Sequence, residues 1–185
     1  MAADPARNQT TYTYEDYMAF SDDLRCEIIN GQVYDMTPAP STKHQRVTGK
    51  IFRLVGNHLE SKKHPCQTFI APTDVVLADD QVVQPDVFLV CNENKIQDKA
   101  IFGVPDVMFE VISAFTEVKD RREKMKLYED YGVAEYFLVH PEQEYVEKYV
   151  LDEGGYKRAG LYKGEENFSI DAIELTLAAE DLFKR

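Results

Sequence analysis

Two carboxylates stand in this chain where apolar side chains are expected. Asp86 interrupts the run Val82-Val83-Gln84-Pro85-Asp86-Val87-Phe88-Leu89-Val90, and Glu110 interrupts Val107-Met108-Phe109-Glu110-Val111-Ile112. An ionised carboxylate inside such a run costs several kcal/mol unless a cation, a metal or hydrogen-bond donors compensate it. If the two runs pair as strands about 4.8 Å apart, the two acids converge on one hard cation. Oxygen ligands with positions left open for water and phosphate suit Mg2+, or Mn2+ in its place. Such an ion polarises a phosphate and eases deprotonation of a water. Asp106 stands four residues before Glu110 on the same run, about 13 Å away, so those two cannot share an ion.

A lysine completes the set. Asp120, Lys124, Leu127, Tyr128 and Tyr131 recur at helical spacing just after the second run. Lys124 falls near the start of that helix, close to the carboxyl end of the strand bearing Glu110. An ammonium there can stabilise developing phosphoryl charge or assist water activation. The plainer reading is a lysine that lays its stem over Tyr128 and keeps its head in water.

The elements that must position these residues are legible in outline. The 185 residues suffice for one domain, with a flexible segment at 1–11 and the domain over 12–185. Thr13 caps a short helix. Asn30-Gly31 joins two strand-like runs as a hairpin, since both residues accept positive φ. Thr37-Pro38-Ala39-Pro40 makes a turn and Ser41 caps a long helix to about Ser61. Its apolar stripe is Val47, Ile51, Leu54, Val55 and Leu59, with His44 and His58 at the stripe's two ends. Strands follow at 68–70, 74–77 and 83–90. Thr116 to Tyr131 reads as a helix stopped by Gly132, and Glu135 to Val139 as a strand returning parallel to the Glu110 strand. Tyr145 to Leu151 and Tyr156 to Tyr162 form a hairpin about Gly154-Gly155. The tail around Leu175, Leu177 and Leu182 has no clear period. The class is α/β with a mixed sheet.

Bulk properties narrow the function. No apolar stretch is long enough to span a bilayer and no secretory signal is visible, so no membrane role and a cytoplasmic location are expected. Cys26, Cys66 and Cys91 are scattered and odd in number, which favours neither a disulfide framework nor a zinc site and predicts three buried or reduced thiols. The net charge of −12 argues against indiscriminate nucleic-acid binding. Yet Lys and Arg gather early, at Lys43 to Arg53, Lys62-Lys63 and Lys119 to Lys126. Acids gather late, from Glu142 to Glu166.

Three blocks together carry a resemblance. The first is Arg25-Cys26-Glu27-Ile28-Ile29-Asn30-Gly31-Gln32-Val33 with Met36, Pro38, Ser41 and His44. The second is Gln84-Pro85-Asp86-Val87. The third is Val104-Pro105-Asp106-Val107-Met108-Phe109-Glu110-Val111-Ile112-Ser113, then Thr116, Asp120, Lys124, Tyr128, Gly132-Val133 and Glu135-Tyr136. In order and spacing, over about residues 12–150, they resemble the Uma2 family, a domain of unknown function described as restriction endonucleases and assigned to the PD-(D/E)XK nuclease superfamily. The resemblance implies a restriction-endonuclease-like mixed central β-sheet flanked by α-helices, with an N-terminal helix and β-hairpin. It maps the motif acids to Asp86 and Glu110 and adds the Val111 carbonyl as a metal ligand. The position two after Glu110 is Ile112, where the superfamily has Lys; the family's substitute maps to Lys124. Glu27 matches an early family acid that positions metal or water, and His44 a helix histidine that is either accessory to catalysis or structural. Ser113-Ala114-Phe115-Thr116 departs from the family's Ser-Pro-Ser-Thr.

Two functions from different classes follow. One is a Mg2+-dependent endodeoxyribonuclease acting on DNA, working as a homodimer because a double-strand cut needs two sites. The other is a catalytically silent nuclease-like module that binds nucleic acid or a protein partner. A third possibility is a structural protein whose buried acids are merely hydrogen-bonded.

Overall fold

The structure is a computed structural model that describes residues 11–21, 24–36, 40–113 and 120–184. Most of the segment expected to be flexible, the Thr37–Pro40 turn as far as Ala39, and Ala114, Phe115 and Thr116 of the variant loop lie outside the described residues.

Helix α1 (Tyr14–Ala19) starts in a capping box in which the Thr13 hydroxyl accepts from the Asp16 amide and Asp16 accepts in return from the Thr13 amide. Strands β1 (Cys26–Ile29) and β2 (Gln32–Asp35) form the expected hairpin, with Asn30 at φ 51° and Gly31 at φ 68°. Helix α2 (Thr42–Lys62) is capped by the Ser41 side chain, which accepts from the His44 amide. The remaining strands are β3 (Gln67–Ile70), β4 (Val75–Ala78), β5 (Gln81–Val83), β6 (Val87–Val90), β7 (Ile101–Phe102) and β8 (Val107–Val111). A π-helical turn over Asp120–Lys124 leads into α3 (Met125–Tyr131), which Gly132 ends at φ 84°. Strands β9 (Glu135–His140), β10 (Tyr145–Asp152), β11 (Gly155–Lys163), β12 (Asn167–Ile170) and β13 (Leu175–Ala178) complete the chain.

The strands make two mixed sheets and a ribbon. The six-stranded sheet runs β11-β10-β9-β8-β6-β3, with β8 and β9 parallel and the other pairs antiparallel. Strand β8 is therefore central, and buried throughout. The five-stranded sheet runs β2-β1-β5-β4-β7, with only β4 and β7 parallel. The tail, without a clear period in the sequence, forms the β12-β13 ribbon.

Pleating sorts the β8 side chains to two faces. Val107, Phe109 and Val111 join a core with Val47, Ile51, Val55 and Leu59 of α2. Met108 and Ile112 join another with Leu127 and Tyr128 of α3 and with Ile29, Val75 and Val83 of the second sheet. One face of the large sheet carries α2, and the other carries α3 and the smaller sheet. Glu110, in phase with Met108 and Ile112, points to the second of these.

Two expectations are corrected. The run at 83–90 is not one strand: it divides into β5 and β6, which belong to different sheets. Pro85 has no amide to give a ladder, and the Gln84 amide is spent on a side chain, the Glu27 carboxylate at 2.9 Å. Asp86 thus stands at a crossing between sheets. Nor are all three thiols reduced, because Cys66 and Cys91 form a disulfide. They lie one step beyond the Gln67–Val90 pair of β3 and β6, a register that spacing in the sequence does not reveal. Cys26 is buried outside any disulfide. Among the described residues no helix is long and apolar enough to cross a membrane.

Candidate active site

Strands β6 and β8 pair with Val87 opposite Phe109, so the next step of the register sets Asp86 opposite Glu110. The pairing required of the two acids is present. Asp86 Oδ2 accepts from the Val111 amide at 2.7 Å, which holds its carboxylate against the end of β8. The His44 Nε2 lies 3.3 Å from the same oxygen, a contact carried across from the first turn of α2. Glu27 arrives from the smaller sheet. It alternates with Ile28 and shares the inward face of Ile29, so the pleat of β1 aims it at α3.

Lys124 closes the group. Its Nζ lies 2.9 Å from Glu27 Oε1 and 2.9 Å from Glu110 Oε1. One turn along, at the i+4 position that shares its face, the Tyr128 hydroxyl donates to the same Glu110 oxygen at 2.8 Å. Glu27, Glu110 and Lys124 are 1%, 3% and 5% exposed. The lysine does not reach for water over Tyr128; it is buried between two carboxylates. The Asp86 side chain, at 19%, is the acid through which solvent reaches the cluster.

Five residues singled out in the sequence, Glu27, His44, Asp86, Glu110 and Lys124, are thus gathered from two sheets, α2 and the turn before α3. Val111 belongs to the group through its amide. Asp106 does not: it accepts from the Cys91 amide at 2.8 Å and serves the neighbouring loop. Tyr128 was legible only as part of the helix stripe. Its spacing of four from Lys124 was the available signal for a shared partner.

A second polar group on the same sheet face has no counterpart in the sequence reading. Register places Glu110 beside Leu138 of β9, and Leu138 beside Glu147 of β10. Glu147 is buried. It receives the Arg121 guanidinium and the Tyr149 hydroxyl at 2.8 Å, and lies 3.1 Å from His140 Nε2. Burial pushes the Glu147 carboxyl up, but the Arg121 and Tyr149 hydrogen bonds and the neighbouring positive charge outweigh it and hold it below the usual range. Arg121 lies one turn before Lys124, so both polar groups hang from one helical turn.

The donor set suits a small hard cation. Among the described residues there is no cluster of three or more His, Cys, Asp or Glu side chains able to hold a metal. Mg2+ needs no such cage, since it binds through one or two carboxylates and keeps several waters. Asp86 and Glu110 are two adjacent carboxylates, one of them partly open to solvent.

The family model described as Uma2, "Putative restriction endonuclease", matches residues 12–180. The chain belongs to the Uma2 family. An uncharacterized Synechocystis protein is 23% identical over 174 residues, spanning 92% of this chain and 90% of the relative. A solved structure described as a putative nuclease belonging to DUF820, from Anabaena variabilis ATCC 29413, superposes with a TM-score of 0.75 at 15% identity. The match covers 92% of this chain and 97% of the other. At that identity the likeness shows a shared fold. It fits the mixed sheets and flanking helices of this Uma2 chain.

Proposed function

We propose that this Uma2 protein is a divalent-metal-dependent endodeoxyribonuclease. The observation that carries this reading is the meeting of Asp86 and Glu110 on adjacent strands beside a buried lysine. Asp86 and Glu110, with the Val111 carbonyl, would hold Mg2+ or Mn2+, which supplies a Lewis acid for the phosphate and eases deprotonation of the attacking water. The Val111 amide and His44 orient Asp86. Glu27 and Tyr128 hold Lys124 and Glu110 at fixed separation, so the ammonium is already in place when negative charge develops on the phosphoryl oxygens. The attacking water gives a proton to solvent as its oxygen bonds to phosphorus, the opposite P–O ester bond breaks, and the leaving oxygen takes up a proton from solvent. Lys124, an ammonium between two carboxylates, acts here by charge rather than as a base. Cutting both strands calls for two copies, so we extend the proposal to a two-fold dimer.

The test is cleavage of supercoiled plasmid and single-stranded DNA with Mg2+ or Mn2+. Wild-type protein should nick the plasmid, and Asp86→Ala and Glu110→Ala should each abolish nicking. Undiminished cutting by both variants would reject the site. The alternative, a silent module that binds nucleic acid or protein, draws on the full engagement of Lys124 by two acids. Titration calorimetry separates the two readings: absence of Mg2+ and Mn2+ binding favours the silent module.

A further inference from the structure

Helix α2 carries Lys43, Arg46, Lys50, Arg53 and Lys62 against a single acid, Glu60. This is a basic element in a protein of net charge −12. The first four bases recur at i, i+3, i+7 and i+10, a spacing that lines them along one side of the helix beside the buried stripe of Val47, Ile51, Val55 and Leu59. Elsewhere Arg121, Lys124, Lys126, Lys148, Lys157, Arg158 and Lys184 each meet a carboxylate. Arg46, Lys50 and Arg53 meet none and make no hydrogen bond among the described residues, and Arg46 and Arg53 are exposed. Lys43 has only a 3.2 Å contact with Glu142, itself 69% exposed. The same helix places His44, next to Lys43, against Asp86. The stripe therefore begins at the candidate active site and runs away from it.

We infer that this stripe is the track on which the phosphate backbone of duplex DNA lies as a phosphodiester enters the site. Its length, about 15 Å from Lys43 to Arg53, compares with about 3.4 Å of duplex axis per nucleotide of one strand. Four flexible cations over that span can each follow a phosphate without reading a base. Grouping the cations on one helix also reconciles the acidic total with a polyanionic partner, because the local field and not the sum steers association. The location of the track rests on the nuclease reading; the binding it predicts does not.

The test uses the full chain and the triple variant Arg46→Gln, Lys50→Gln, Arg53→Gln, with a labelled 20-base-pair duplex in EDTA, followed by fluorescence anisotropy from low to moderate salt. Wild type should bind with a steep salt dependence. The variant should bind at least about 10-fold more weakly at low salt, with a slope of log K on log salt shallower by about 2–3. Lys50→Arg keeps the charge and should keep the binding, and equal melting temperatures exclude a folding defect. Hydrolysis of bis(p-nitrophenyl) phosphate with Mn2+ should be the same in wild type and variant, because the small diester does not need the track. Equal duplex affinity and slope in both proteins, or no duplex binding by wild type, would overturn the inference. So would displacement of the duplex by equimolar polyglutamate, which would point to an acidic protein partner. A wild type that hydrolyses neither plasmid nor small diester, with duplex binding still lost in the variant, would sink the nuclease reading and leave the track standing.

Discussion

Among the described residues two lysines are buried, and each lies between two acids. Lys124 Nζ lies 2.9 Å from both Glu27 and Glu110. Lys148 Nζ lies 2.8 Å from Glu135 and 2.5 Å from Asp171. By their carboxylate partners alone they are twins. Backbone amides answer acids in both groups: Glu27 accepts from the Gln84 amide at 2.9 Å, and Glu135 from the Asp171 and Ala172 amides at 3.0 and 2.8 Å. The group ties the turn after β12 to the middle of the large sheet, and its ammonium also lies 5.7 Å from the Phe137 ring centre. Around Lys124 a third carboxylate, Asp86, joins from another element and faces solvent. A buried ion pair is therefore no mark of function, since burial exacts the same desolvation cost in both places. What separates the two is the count of acids: Asp86 adds a third carboxylate beside Lys124, while Lys148 has two.

Lys124→Met and Lys148→Met should separate the two lysines most widely. Plasmid cleavage should fall about 10²–10⁴-fold in the first, as for loss of a transition-state charge. It should stay near wild type in the second wherever that protein remains folded. Equal initial-rate losses would erase the distinction. The Lys148 group should show itself in stability: Glu135→Ala strands the Lys148 ammonium and two amides, and should cost about 3–5 kcal/mol in urea unfolding. A cost under about 1 kcal/mol would show that the Lys148 group is not the structural one.

Metal sharpens the contrast. Mn2+ at about 100 times its dissociation constant should stabilise wild type by about 2.7 kcal/mol, seen as a rise in Tm. Asp86→Asn should lose that rise and Glu135→Gln should keep it. A smaller effect is expected of Tyr128→Phe, about 1.5–2 kcal/mol for one hydrogen bond to a buried carboxylate; an unchanged unfolding midpoint would argue against the bond to Glu110.

The least effect concerns pH. Lys148 and Ser169 hydrogen bonds hold the Asp171 carboxyl below its ordinary value. A lowered pKa contributes stability above the unfolded value, and that contribution is lost as pH falls through the folded one. Asp171→Asn should therefore flatten the acid limb of the stability curve slightly, since the Asp171 side chain is 63% exposed. Lys148 shifts the other way: burial alone would lower its pKa, but Asp171 and Glu135 raise it. Its contribution is complete below the unfolded lysine value of about 10.4 and fades as pH rises through the raised one. Acid and alkaline melting curves of wild type and Asp171→Asn check both signs.

Local structure was legible wherever one residue type solved a local problem. Thr13 and Ser41 satisfy helix amides, Asn30-Gly31 supplies positive φ, and Gly132 ends α3. The apolar stripe of α2 and the central β8 followed from period. The division of 83–90 between two sheets was not legible. It depends on the Gln84 amide meeting Glu27, 57 residues away in sequence. The Cys66–Cys91 bond and the Arg121–His140–Glu147–Tyr149 group escaped for the same reason: each needs a strand register that no local preference specifies.

The amino-acid order by itself determined where charge interrupts the apolar runs, and which helices and turns hold those interruptions. Short-range sterics and the desolvation cost of a carboxylate are written into neighbouring residues. Which acids share Lys124, and which lysine is only a brace, were decided when the sheets and helices closed on one another. Those pairings depend on side chains brought to within 3 Å from positions far apart in the chain, and only the completed packing sets their separations.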